Sequence, residues 1–310
     1  MKPIIRVIAT MYISAFQILD YYICRRCYSH QKHLSAPFKL ASVLGFCILS
    51  LCQSTALYSQ DFLHGTTVIA ICNFDSVTIG ADSRKTSVSI DGSIVTPDTA
   101  CKVFSSQNFI LGITGIAKGR MSPTSDTCFD LATVFRYFSN RDTSLTLLAK
   151  DCYENMCSVF VRFLSIGVQT REPFICSALL DSTLCHQLGL EFLIAGIIHD
   201  SIALCHAEFN VEAYDPITHS LYYHYVPLQF FCPSRDSLPE FLPIGHIDSI
   251  LPLDLRRLIS EVGFTSATNM FITAQAHKRP DAVGGSIDIV KLYRDGRVSW
   301  IQRKKNCCSQ

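Results

Sequence analysis

Two short β-branched runs, Val68-Ile69-Ala70-Ile71 and Val77-Thr78-Ile79-Gly80, are parted by the turn formers Asn73-Phe74-Asp75-Ser76. That pattern predicts a β-hairpin. It is framed by His64-Gly65-Thr66-Thr67 on one side and Ala81-Asp82-Ser83-Arg84 on the other. Hydrophobic residues make up 48% of the 310-residue chain and charged ones only 17%, which is enough apolar material for a sizeable core around such a hairpin.

Downstream, short strands are expected at Cys101-Lys102-Val103-Phe104 and over residues 108–114 (NFILGIT), the latter running into Gly115. The segment between Arg84 and Thr99 is polar and turn-rich, with Asp91-Gly92 as a hairpin-type turn. Cys128, Leu131, Ala132, Phe135 and Phe138 recur at helical spacing, as do Leu145, Leu148, Cys152, Met156, Val159, Phe160 and Phe163. Asp142, Thr143 and Ser144 offer N-caps for the second of these helices. Strands follow over residues 192–198, 202–209 and 219–226, with His199-Asp200 as the tight turn between the first two. Helices are expected over 253–262 and 264–277, and a closing hairpin over 286–293 and 298–301 around Asp295-Gly296. Strands, two helices, strands, two helices, strands is not the alternation of a doubly wound parallel sheet. It suits an α+β fold, antiparallel sheets covered by segregated helix pairs. Residues 66–310 read as one domain.

Residues 1–65 read as a leader. Met1–Tyr22 is apolar but interrupted by Lys2, Arg6 and Asp20, so it does not reach the ~18–20 uncharged residues of a membrane helix. Arg25, Arg26, Lys32 and Lys39 then precede an apolar run over residues 40–51 and the small residues Ser54-Thr55-Ala56. This order matches a secretory signal peptide displaced from the initiator Met; an uncleaved anchor or apolar propeptide is the alternative. Export to the periplasm, the outside or a membrane surface is expected, with a cytoplasmic location as the alternative. Cys24-x2-Cys27 with His30 and His33 crowds four candidate ligands into ten residues, without the separated second pair of a structural zinc site. No metal is expected there, nor at His199, His206 and His246, which read as ordinary polar positions.

The 15 cysteines are odd in number and scattered, and Cys72, Cys152 and Cys205 sit in apolar runs as small hydrophobes. A net charge of +1 gives no basic footprint for nucleic acid. Neither a P-loop nor a dinucleotide fingerprint is present, so no cofactor is expected.

Chemistry is expected at the start of the domain. A threonine hydroxyl needs a base, and an N-terminal threonine carries its own in the α-amine. A nearby lysine ammonium pushes that amine toward its neutral form, a carboxylate can hold the lysine, and a backbone N–H at a glycine turn can receive an oxyanion. Spacing alone does not select residues for these roles. Gly65-Thr66-Thr67-Val68-x-Ala70, followed by Ile79-Gly80-Ala81-Asp82-Ser83-Arg84, resembles the mature start of proteasome β-type subunits and bacterial HslV, the threonine-dependent N-terminal-nucleophile hydrolases. Cys101-Lys102-Val103 resembles their lysine strand, some four residues late, and Leu111-Gly112-Ile113-Thr114-Gly115 the strand leading to the oxyanion glycine. Phe192-Leu193-Ile194-Ala195-Gly196 resembles the central strand, and Ala282-Val283-Gly284-Gly285-Ser286-Ile287 the closing glycine pair. The resemblance spans most of residues 65–301. It implies a four-layer αββα sandwich of two antiparallel sheets, self-cleavage between Gly65 and Thr66, and amide-bond hydrolysis. Thr66 would be the nucleophile, with Asp82, Lys102, Gly115 and Asp281 as its site partners.

The chain departs from that pattern in places. Pro243-Ile244-Gly245-His246-Ile247 lacks the family's supporting serine, Val283 stands where a second serine is expected, and Asp281 lies one place nearer the glycines. The excursion from Gln169 to Gly189 has no counterpart. A stand-alone relative, monomeric or homo-oligomeric, is therefore expected rather than a proteasome-like ring. A non-catalytic scaffold of the same fold, or a protein held at a membrane by its N-terminal segment, are the other readings. The expected partner of the first is a peptide or protein substrate.

Overall fold

The computed structural model describes residues 60–64, 67–84, 86–88, 94–95, 100–115, 118–119, 129–142, 144–169, 173–180, 188–245, 255–280 and 282–304, all within one compact unit, Tyr58–Gln310. Gly65, Thr66, Asp281, the apolar run 40–51, the Cys24–His33 cluster and the Asp91-Gly92 turn lie outside the described residues.

The opening hairpin forms as β2 (Thr67–Cys72) and β3 (Ser76–Ala81), antiparallel with Ala70 opposite Ile79. Asn73 closes it, its Oδ1 accepting from the backbone N–H groups of Asp75 and Ser76. Just before it, β1 (Gln60–His64) pairs with β4 (Thr86–Val88), which pairs in turn with β5 (Ile94–Val95) across the expected hairpin. The last residues of the stretch read as leader thus form a strand. β6 (Val103–Ser106) and β7 (Phe109–Gly115) follow, then a small ribbon of β8 (Lys118–Gly119) and β9 (Phe129–Asp130).

Helix α1 (Leu131–Ser139) starts where the Asp130 carboxylate accepts from the N–H groups of Ala132 and Thr133. Helix α2 (Leu145–Gln169) is capped by Ser144, whose Oγ accepts from Leu147 N–H. Within the unmatched excursion lies a third helix, α3 (Pro173–Leu180). β10 (Gly189–Ile198) and β11 (Ser201–Asp215) turn tightly through His199 and Asp200, both at positive φ. β12 (Ser220–Phe231), β13 (Glu240–Gly245), α4 (Leu255–Val262), α5 (Phe264–Lys278), β14 (Asp288–Tyr293) and β15 (Val298–Gln302) complete the chain.

Two five-stranded antiparallel sheets result, ordered β12-β11-β10-β7-β6 and β13-β2-β3-β14-β15. Their packing is legible from which side chains meet. Val68, Ala70 and Ile79 of the second sheet meet Ile110, Leu193 and Leu204 of the first, a core between the sheets. Leu111, Phe192 and Phe209, on the other face of the first sheet, pack on Phe135, Phe160 and Phe163 of α1 and α2. Ile69 and Ile71 pack on Ile259, Phe271 and Ile272 of α4 and α5. The molecule is an α+β sandwich in four layers, helix, sheet, sheet, helix, as the sequence implies. β2 lies inside its sheet and is covered on both faces, which is why its residues from Val68 on are apolar without alternation. Each fully buried phenylalanine contributes roughly 1.5–3 kcal/mol relative to exposure. Cys72, Cys152 and Cys205 are buried free thiols inside these layers. Burial raises the Cys72 and Cys205 thiols to about 12, so they are inert spacers rather than nucleophiles.

Candidate active site

At the end of the seam between the sheets, where β2 begins and β3 and β7 end, the fold buries a charge pair. Asp82 directly follows β3 and is fully buried. Lys102 directly precedes β6 and is 1% exposed. Lys102 Nζ donates to Asp82 Oδ1 at 3.0 Å. The same oxygen accepts from Thr67 N–H at 3.2 Å, while Oδ2 accepts from Arg84 N–H at 3.2 Å and Gly284 N–H at 3.0 Å. Four donors surround one carboxylate, which is what makes a buried anion tolerable.

Each donor arrives for a structural reason. Thr67 is the first residue of β2, so its amide is fixed by the strand. Gly284 comes from the turn before β14; its carbonyl accepts from the N–H groups of Ser83 and Arg84, closing a reciprocal clasp. A side chain at 284 would lie 2.9 Å from the Arg84 guanidinium, so the arginine packs where a Cβ would stand. Lys102 is held through its carbonyl, which accepts from Ile113 N–H of β7 at 2.9 Å. Two residues earlier, Ala100 donates to Ser83 O and accepts from Lys304 Nζ at 2.8 Å. Lys304 also pairs with buried Asp288 at 3.0 Å, tying the chain's C-terminal side to the lysine loop.

Burial pulls the Lys102 ammonium down to about 8 against the opposing pull of Asp82, and the nearby Lys304 and Arg84 charges add to the lowering. This is a lysine held with its proton loosely bound, an arrangement more common at reactive sites than at structural ones.

Gly115 ends β7 at φ 77°, paired with Leu190 of β10. A Cβ there would fall 2.3 Å from Gly189 O. Gly115→Ala is therefore expected to force two paired strands apart and cost about 1–3 kcal/mol, readable as a shift of the denaturant midpoint with unchanged slope.

Asp82 and Lys102 are thus brought together, and Gly115 stands at the same end of the seam, where β7 closes. The Gly284 amide and the Lys304 anchor were not anticipated from the sequence. Val283, at the position of the expected serine, is fully buried against α4 and α5 and offers no polar group. Gly245, in the segment lacking the other serine, pairs with Thr67 across β13 and β2.

The fold and the buried pair define an α+β sandwich with a lysine–aspartate site at one end of its seam. No protein-family model matches the chain, and no curated protein sequence matches it. Among solved structures it is similar to Anbu (ancestral beta-subunit) from Yersinia bercovieri, at a TM-score of 0.43 and 12% identity over 77% of this chain and 88% of that one. A likeness at that level carries nothing about the site.

Proposed function

We propose that the protein is an amide-bond hydrolase of the threonine-peptidase kind, in which cleavage of the Gly65–Thr66 bond frees Thr66 as nucleophile and its α-amine as base. The observation that supports this most is the contact between the buried Lys102–Asp82 pair and the Thr67 amide, one residue from the proposed nucleophile. In this reading the Lys102 charge keeps the Thr66 amine neutral and Asp82 fixes the lysine. The Thr66 hydroxyl attacks the scissile carbonyl, the amine takes its proton and returns it to the leaving amine, and water resolves the ester. The Gly115 turn is the proposed oxyanion donor. Asp281 remains a proposed auxiliary. The disulfide at Cys101 fits an oxidising compartment and hence export.

A second reading, a non-catalytic scaffold that keeps the uncut leader, has its own support. β1 is paired with β4, so the residues just before Gly65 are held in a sheet, and Val283 supplies no hydroxyl. N-terminal sequencing with intact mass separates the two. The enzyme reading expects a mature chain starting at Thr66, and Thr66→Ala should retain the Gly65–Thr66 bond. A wild-type chain that keeps this bond after prolonged incubation sinks the hydrolase.

A further inference from the structure

β10 and β11 carry a second constellation, built from residues that take no part in the chemistry proposed for Thr66. The two-residue turn at His199-Asp200 fixes their register, placing Glu191 directly opposite Glu208 and Leu193 opposite His206. Side chains alternate along a strand, so His206 and Glu208 share a face, as do Glu191 and Leu193. Leu193 and Leu204 belong to the core between the sheets, so all three polar groups sit on that inner face, beyond the apolar seam.

Two carboxylates directly opposite on paired strands repel each other, and partial burial raises the cost. Glu191 is 25% exposed and His206 13%. Among the described residues the only cation against the pair is His206, whose Nε2 lies 2.9 Å from Glu191 Oε1. The remaining neighbours are neutral donors. Gly245 N–H and the Thr114 hydroxyl donate to Glu191 Oε2 at 2.9 and 3.4 Å, and Asn210 donates to Glu208 Oε1. With a charged imidazole the cluster still carries one uncompensated negative charge.

One imidazole nitrogen and one oxygen from each carboxylate lie within 4.8 Å of one another. We propose that Glu191, His206 and Glu208 form a binding site for a divalent transition-metal ion of the zinc class. A nitrogen and two carboxylate oxygens are an ordinary donor set for such an ion, with water completing the sphere. Bonds of about 2.0–2.1 Å need ligand atoms roughly 3.3 Å apart, so the Nε2 to Oε1 contact opens by a few tenths of an ångström. The outer partners are those that orient metal ligands. Gln229 stands opposite His206 on β12, and Gly245 N–H fixes the Glu191 carboxylate. The ion would replace the proton on His206, neutralise the facing glutamates and tie β10 to β11, while the Glu191 bond to Gly245 links the site to β13.

The test is a cobalt(II) titration of the full-length protein, followed by zinc. Cobalt reports its ligands, which matters in a chain with 15 cysteines. The expected result is one tightly bound ion per chain with visible d–d bands. It should lack the near-ultraviolet charge-transfer band of a thiolate ligand, and zinc should bleach it. Glu208→Gln, which keeps the side chain's shape, and His206→Ala should each weaken binding at least about tenfold. No such spectrum, a spectrum carrying the thiolate band, or binding that Glu208→Gln leaves unchanged would overturn the site.

Discussion

Asp82→Ala is expected to cost about 3–5 kcal/mol, the range seen when one partner of a buried ion pair is removed. Alanine would leave Lys102 buried at 1% exposure with no counter-charge, and it would take away the carboxylate that accepts from the N–H groups of Thr67 and Gly284, while Arg84 N–H keeps its bond to the Gly284 carbonyl. Those two amides come from the start of β2 and the turn before β14, so the loss loosens both from the end of β3 at once. Asp82→Asn should be little better. Each carboxylate oxygen accepts two donors. Whichever way the amide points, its NH2 faces two donors and satisfies neither. Urea denaturation of both variants checks this, and a cost for Asp82→Ala under about 1 kcal/mol, the worth of an exposed pair, would contradict the burial argument.

Much of the sandwich was legible because turn chemistry and periodicity agreed. The Asn73 turn, the His199-Asp200 turn and the two helix pairs all fall where the residues place them. Of the elements that escaped, two show why. α3, PFICSALL, is apolar all round and too short to show a stripe, so periodicity cannot tell it from a buried strand. β13 contains Pro243, which argues against a strand interior. It is tolerated because β13 is the edge of its sheet, with no partner strand on one side among the described residues.

The site was legible only in part, and for physical reasons. Asp82 and Lys102 stand out as side chains in a recognisable pattern. Gly284 contributes through its backbone, across 202 residues, and no residue type announces such a contact. Nothing in the run Arg303-Lys304-Lys305 marks its middle residue, yet Lys304 is 7% exposed and paired to Asp288. The Glu191–His206–Glu208 cluster was derivable in principle. A two-residue turn at 199–200 sets Glu191 against Glu208, and His-x-Glu on a strand places both side chains on one face. Reading the histidines by their spacing along the chain hid a cluster that only the strand pairing assembles.

Lys102→Met is expected to lower cleavage of the Gly65–Thr66 bond and amide hydrolysis on the order of a hundredfold or more, the scale of removing one electrostatic group from a reaction centre. Because Asp82 keeps its three backbone donors, the fold should suffer less than in Asp82→Ala. A pH series gives a readout that needs no activity. Folded Lys102 releases its proton near 8, against 10.5 when unfolded. Below about pH 8 both states are protonated, and the full cost of burying the ammonium is present. Between about 8 and 10.5 the unfolded chain holds more protons than the folded one, so unfolding free energy rises with pH. Above that window both are neutral and the slope vanishes. The stability of the wild type minus that of Lys102→Met should therefore climb across this window and be flat on either side. A difference that is flat throughout, with activity retained, would mean that Lys102 neither titrates early nor serves Thr66.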